Sequence, residues 1–435
     1  MRLLSSIITL VIISLNAVGQ VNKLKSGPML GYSEMREALI WVQLEEKGSV
    51  QIEFWDISAE EKHYKTELVG TSPTTGNTAK LYLNGLEPGR TYEYQLIVDG
   101  VVQQFDYELK LNTEPLWEYR REPPAFKMAI GSCVYINEEA YDRPGNPYGG
   151  EYQIFESIAT KRPEAMLWLG DNIYLRPADW WTRSGYLARY THTRSLPQMQ
   201  ELLASCNNYA IWDDHDFGPN DASGSWVHRD LALEMFKLFW ANPSYGYRDM
   251  PSTFSAFNYR DCDFIMLDNR YYRTETSEIS ASQMFSKMQI DRLIDLLKQS
   301  RAPFKFVLSG SQILNSAKVY ENFSNYPEER NYLLDRIEEE GVRNVVFLSG
   351  DRHHSEIMQM DLENGNTIYE ITASPLTSGP NKNVSEVNDY RVGGTLIQER
   401  NFAMLEVDGP RKERRLRIIF YNSAGEEILR HSILE

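Results

Sequence analysis

From Phe126 onward, strand-like and helix-like segments alternate, and most of the strand-like ones end in a cluster of polar residues. Short apolar runs bounded by turn residues read as buried strands, and runs with apolar residues three or four apart read as helices. The strands are then Lys127–Cys133, Ala165–Gly170, Tyr209–Asp213, Asp263–Asp268, Phe304–Ser309 and Asn344–Ser349. The helices between them are Tyr152–Lys161, Leu196–Ser205, Val227–Trp240, Ser282–Gln299 and Glu328–Glu340. In Ser282–Gln299, Met284, Met288, Ile290, Leu293, Ile294, Leu296 and Leu297 keep helical spacing and are read as core. After Ile368 the chain turns to strands alone: Ile368–Thr372, Phe402–Val407, and Leu416–Ile433 as a hairpin about Ser423-Ala424-Gly425. Alternation of this kind demands a substantial sheet covered by helices, an α/β (α+β) layered core.

Upstream, residues 26–113 lack the helical period. Ala38–Leu44, Val50–Trp55, Lys80–Leu83 and Thr91–Val98 read as strands, and Val101–Leu111 returns as one after the Asp99-Gly100 turn. The run Leu86-Glu87-Pro88-Gly89-Arg90-Thr91-Tyr92 resembles the corner of a fibronectin III/Ig-like β-sandwich, where a Tyr hydroxyl bonds back to the backbone; Tyr92 is the candidate. Glu114-Pro115 and Glu122-Pro123-Pro124 bracket a charged stretch that suits a seam. At the start, Arg2, the apolar run Leu3–Leu15 and Ala17-Val18-Gly19 before Gln20 have the three parts of a secretory signal. The expected division is therefore a signal peptide over 1–19, a β-sandwich over 20–120 and a catalytic domain over 121–435. Export, to periplasm or medium, is the expected destination, with no membrane-spanning segment after the signal is removed.

Composition excludes some classes and leaves one puzzle. The 435 residues carry 45 Lys+Arg against 61 Asp+Glu, a net charge of −16. A polyanion clamp of the nucleic-acid-binding kind needs the opposite balance. The three cysteines, Cys133, Cys206 and Cys262, are an odd number and too few for a disulfide scaffold. With seven His as well, any metal site must rely mainly on oxygen ligands.

The strand ends carry the chemistry. They read Gly131-Ser132-Cys133, Gly170-Asp171-Asn172-Ile173-Tyr174, Asp213-Asp214-His215-Asp216-Phe217-Gly218-Pro219-Asn220-Asp221, Asp268-Asn269-Arg270, Ser309-Gly310-Ser311-Gln312 and Ser349-Gly350-Asp351-Arg352-His353-His354. Ligands in α/β sheets bind outside the carboxyl ends of strands, so these clusters point to one convergent site. Asp171, Asp213, Asp214, Asp216, Asp221 and Asp351 gathered together would repel strongly, and multivalent cations remove that cost.

The pattern resembles the calcineurin-like metallophosphoesterases, with Asp171 as bridging carboxylate, Asp214-His215-Asp216 in the Gly-Asn-His-Asp/Glu position and Asp351-Arg352-His353 in that of Gly-His-x-His. The superfamily's opening Asp-x-His is replaced by Ser132-Cys133. That replacement, with Gly170-Asp171-x-Ile-Tyr174 and Trp212-Asp213-Asp214-His215-Asp216, is similar to the alkaline phosphatase D (PhoD-type) family over nearly the whole mature chain. The resemblance implies Fe3+ held by Cys133, Asp171, Tyr174 and His353, and Ca2+ on Asp171, Asp351 and the Asp213–Asn220 loop, where Asp213, Asp214, Asp216 and Asn220 are all candidates. Mn2+ or Zn2+ are the alternatives. It places His215 where the superfamily keeps a proton-donating or phosphate-contacting His, with Arg270 or Arg352 as phosphate contacts. Asp216 departs from the family's usual Glu, and Arg352 from its Val-His pattern.

The implied activity is exported, metal-dependent hydrolysis of phosphate mono- or diesters by direct attack of a metal-bound hydroxide at phosphorus, without a covalent phospho-enzyme. A phospholipase D-like or other ester hydrolase on the same fold is the alternative. A non-catalytic envelope- or polysaccharide-binding protein is a third reading.

Overall fold

The computed structural model describes residues 23–59, 61–275 and 282–434; the segment 1–19, expected to be a signal peptide, lies outside them. Two six-stranded sheets form the centre. The first runs, in spatial order, Asn207–Ile211, Ala165–Leu169, Phe126–Gly131, Asn401–Asp408, Arg415–Asn422 and Glu427–Leu434. Its first three strands are parallel, and the last three are joined antiparallel. The second runs Ser255–Tyr259, Cys262–Met266, Lys305–Ser309, Val345–Ser349, Thr367–Thr372 and Glu356–Asp361, with its four inner strands parallel.

Side chains alternate across a strand, and here both faces are apolar. Phe264, Met266, Phe306, Leu308, Val346 and Leu348 face the first sheet and merge into one core with Met128, Ile130, Leu167 and Leu405. Ile265, Val307, Val345 and Phe347 face the other way, onto the helices Lys287–Gln299 and Pro327–Glu339 through Ile290, Leu293, Leu297, Leu333 and Ile337. The helices Ile154–Thr160 and Gln200–Ser205 supply buried Phe155, Ile158, Leu202 and Leu203 to the main core. Each such aliphatic or aromatic side chain contributes about 1.5–3 kcal/mol by burial.

Helix boundaries shift where local chemistry dictates. The expected helix from Ser282 starts at Lys287, because the Ser286 hydroxyl accepts from Gln289 N and caps it there. Met288, read as core, is 52% exposed on the outer turn. A helix not expected from sequence, Arg183–Arg194, is capped by Thr182; its mostly polar composition gave no apolar period to read.

The N-terminal residues form a three-stranded sheet, Leu24–Ser33, Glu37–Leu44 and Thr78–Asn84, and a second sheet centred on Ser49–Asp56 and Thr91–Val98. Ile40, Val42, Ile52, Phe54, Leu81 and Leu96 share a core between them. The Tyr92 hydroxyl accepts from Glu87 N at 2.8 Å. Val101–Leu111 is not one strand: only Val101–Val102 and Lys110–Asn112 pair, and the chain leaves the ladder where Phe105 and Tyr107 turn to pack on each other. The opposite face of the three-stranded sheet puts Met29, Leu39 and Trp41 into the main core, and Trp41 Nε1 donates to Leu238 O at 2.9 Å. Glu114, at the expected seam, is buried and accepts from Arg260 N at 2.8 Å.

Candidate metal centre

The parallel strands of both sheets deliver their carboxyl ends to one rim, and the glycines there show how closely. A Cβ on Gly350 would stand 2.6 Å from both Leu169 O and Ser132 Cβ, and one on Gly310 would stand 2.6 Å from Asp213 Cγ. Strand ends 131–133, 169–171, 211–214, 266–270, 309–312 and 349–353 therefore converge. Cys133, Asp171, Asp351 and His353 all have φ between 54° and 66°, a left-handed backbone that costs L-residues free energy and recurs at functional sites.

Among the described residues, three groups of ligand atoms lie within 4.8 Å of one another: Cys133, Asp171 and His353; Asp171, Asp214 and His215; and Asp213, Asp214 and Glu321. Asp171 belongs to the first two and Asp214 to the last two, so the groups form a chain. Cys133 Sγ lies 3.6 Å from Asp171 Oδ2. The Tyr174 hydroxyl sits 3.1 Å from Asp171 Oδ2 and 3.1 Å from His353 Nε2, which places a phenol against the first group. His215 stacks on the Tyr174 ring at 4.1 Å and presents Nε2 4.0 Å from Asp214 Oδ2.

The electrostatics are those of anionic groups held out of water. Burial, then the charge of Asp214, raises the Asp171 carboxyl well above the usual range. Asp351 is raised well above it too, by burial and then Asp213 and Glu321. Burial pushes the Cys133 thiol up to about 12, and lowers His353 to about 4, so its imidazole is neutral with a lone pair to offer. Asp214 moves the other way: burial raises it, but His215 and Arg270 outweigh that and hold it low. Asp213 Oδ2 is buried with no hydrogen-bond partner. A thiol, a phenol, a neutral imidazole and carboxylates that repel one another are a donor set that fits bound cations.

The remaining candidates are placed differently. Asp213 Oδ1 accepts from Arg270 Nε at 2.5 Å and Asn269 Nδ2 at 2.8 Å. Asp216 accepts from the backbone of Asn172 and Asp213 and from Asn172 Nδ2, so its carboxylate braces the two ligand loops. Asn220 and Asp221 lie at the surface, and Asp221 reaches the site only through its N–H, which donates to Asp214 Oδ2 at 2.7 Å. The Asp351 carboxylate joins none of the three groups; its carbonyl faces Cys133 Sγ at 3.7 Å. The arginines expected to touch phosphate are both buried and engaged. Arg270 holds Asp213, Glu321 and Ala222 O. Arg352 donates to Gln312, Asn322 and Glu386.

Glu321 is a site residue that the sequence did not mark. It lies on a loop before the turn Phe323–Asn325, away from any strand end. The loop after Thr367–Thr372 was missed as well. Ser374 Oγ donates to Cys133 Sγ at 3.2 Å and Ser378 Oγ to the Tyr174 hydroxyl at 3.1 Å. The run of Ser and Thr directly after a strand was the available signal.

Comparison with known proteins bears on the family and the fold. A family model of PhoD-like phosphatases matches residues 128–408, and a model of a domain of unknown function, DUF7800, matches 21–116. The chain is 22% identical over 385 residues to alkaline phosphatase D of Bacillus subtilis (strain 168), covering 75% of this chain and 63% of that protein, just under two thirds of its length. A solved structure of PhoD superposes with a TM-score of 0.76 at 16% identity, over 95% of this chain and 92% of the other. The purple acid phosphatase PPD1 of yellow lupin (Lupinus luteus) seeds superposes with a TM-score of 0.69 at 13% identity, over 93% and 73%. These two likenesses establish a shared fold. With the matched family model spanning most of the sequence, the chain belongs to the PhoD-like phosphatase family.

Proposed function

We propose that this protein is an exported, metal-dependent hydrolase of phosphate esters. The observation that carries the reading is the shared carboxylate: Asp171 belongs at once to a Cys133–Asp171–His353 group and an Asp171–Asp214–His215 group. Two adjacent ligand sets with a common acid are what a binuclear phosphoesterase requires. Cys133, Asp171, Tyr174 and His353 would hold Fe3+, and Asp171 and Asp214, with Asp213, Glu321 or Asp351 nearby, would hold Ca2+; Mn2+ or Zn2+ are the alternatives. Bound cations would neutralise charge developing on the phosphoryl oxygens and make a water more acidic.

The residues' own contributions follow from their contacts. Arg270 balances Asp213 and Glu321 and so fixes the acidic wall of the site. Asp216 and Asn172 lock the loop of Asp171 to that of Asp214. His215, stacked on Tyr174 and partly exposed, is the candidate to hold or pass a proton near the leaving group. Direct attack by water predicts inversion with a substrate chiral at phosphorus; retention would overturn it. Residues 20–120, with two sheets and the Tyr92–Glu87 contact, are read as a fibronectin III-like sandwich, and 121–435 as the catalytic part.

The test is turnover of p-nitrophenyl phosphate and bis-p-nitrophenyl phosphate by metal-loaded protein. Hydrolysis of either supports the reading, and their ratio reports monoester against diester preference. Turnover of neither, with metals bound, would favour another ester on the same fold.

A further inference from the structure

We propose that the Tyr148 hydroxyl donates a hydrogen bond to a phosphoryl oxygen of the bound ester. This rests on the phosphate-ester reading above. Tyr148 lies on the loop that leads into the helix Ile154–Thr160, outside every strand-end cluster, and the residue is 43% exposed.

His353 meets the phenol through its outer ring nitrogen. Its Nδ1 is 2.9 Å from Gly379 O and 2.8 Å from the Tyr148 hydroxyl. A carbonyl oxygen only accepts, so Nδ1 carries the hydrogen and Nε2 is bare. Nε2 is the atom that faces the Tyr174 hydroxyl and the candidate metal ligands. The single Nδ1 hydrogen is then shared between Gly379 O and the Tyr148 oxygen, and the hydroxyl's own hydrogen is left over. No acceptor for that hydrogen is found among the described residues.

The phenol is held in place rather than free to turn away. Its ring meets Tyr135 edge-on at 4.9 Å and His353 at 5.9 Å. Beneath it, Gly379 leaves just enough room, since a Cβ there would come within 2.9 Å of the ring. Asn137 exchanges two hydrogen bonds with Gly149, Gly150 N donates to Thr377 O at 2.9 Å, and Arg400 donates to Tyr148 O at 3.2 Å. An ester that reaches the ligands from solvent passes a fixed, partly exposed donor one hydrogen bond from His353. With Arg270 and Arg352 engaged by protein acceptors, a neutral donor in this position supplies recognition that those guanidiniums do not.

The experiment uses the metal-loaded full chain, with Tyr148→Phe against wild type. A hydrogen bond to a charged oxygen is worth about 1.5–3 kcal/mol, so inorganic phosphate should bind about 10–100-fold more weakly by calorimetry, and kcat/KM for p-nitrophenyl phosphate should fall over the same range. Metal content should not change, because Gly379 O still accepts from His353. Gly379→Ala displaces the ring but keeps that carbonyl; it should cost activity in the wild type and little more in Tyr148→Phe. Unchanged phosphate affinity and kcat/KM in Tyr148→Phe, loss of metal, or an equal Gly379→Ala effect in both backgrounds each overturns the inference. Wild-type turnover with an unaffected Tyr148→Phe overturns it alone; a wild type that binds no phosphate and turns over neither ester overturns the phosphate reading with it.

Discussion

Changing Glu321 to Gln removes one negative charge from a buried cluster. Glu321 accepts from Arg270 Nη1 at 2.8 Å and Nη2 at 2.5 Å, and Arg273 pairs with the same carboxylate. Arg270 is 0% exposed and Glu321 5%. At an effective dielectric of about 20, opposite charges about 4 Å apart attract by about 4 kcal/mol. Glu321 faces two guanidiniums, and the neutral variant recovers part of the loss by no longer burying a carboxylate beside Asp213 and Asp351. The net cost should be about 3–5 kcal/mol, as for other broken buried pairs. Gln keeps the volume, so no cavity adds to this. Against a total stability of about 5–15 kcal/mol the change is large. Denaturant unfolding of Glu321→Gln, Arg273→Met and the double variant measures it. The double variant should be less destabilised than the sum of the singles, by an interaction energy of about 0.5–3 kcal/mol. A loss below about 1 kcal/mol, or strict additivity, would contradict this coupling.

Cys133→Ala should remove the ion of the Cys133–Asp171–His353 group and leave that of the Asp171–Asp214–His215 group; elemental analysis checks this by the loss of one metal species and retention of the other. Gly350→Ala drives a methyl to 2.6 Å from Leu169 O and Ser132 Cβ, and should cost at least about 1–3 kcal/mol in urea unfolding together with metal affinity. Burial raises Glu370 from 4.5 to about 7 in the folded protein. Its stabilising contribution is therefore complete below about pH 4.5 and is lost as pH rises through about 7, a change of roughly 3 kcal/mol. Melting temperatures of metal-loaded protein across that range should fall less steeply in Glu370→Gln, and parallel profiles would contradict the assignment.

The sequence showed most of what strand ends determine and little of what loops determine. Four of the six polar clusters at the ends of apolar runs hold Cys133, Asp171, Tyr174, Asp214, His215 and His353, because a parallel strand leaves its last residues at the rim. The acids of 213–221 could not be sorted by type or spacing. Only the turn of the short helix Asp214–Phe217 sends Asp214 to the ligands and Asp216 back to Asn172. Arg270 and Arg352 looked like phosphate contacts because their acceptors, Glu321 and Glu386, lie 51 and 34 residues away with no local signature. Tyr148 and Glu321 sit on irregular segments whose positions depend on tertiary packing, and nothing periodic marks them.

In the proposed centre one carboxylate, that of Asp171, serves two cation positions. The most direct test is elemental analysis of Asp171→Asn beside wild type, both purified by the same route and shown to be folded. The wild type should carry two kinds of site, and Asp171→Asn should lose metal from both, together with phosphoesterase turnover. An Asp171→Asn protein that keeps its full metal complement and its activity would contradict it.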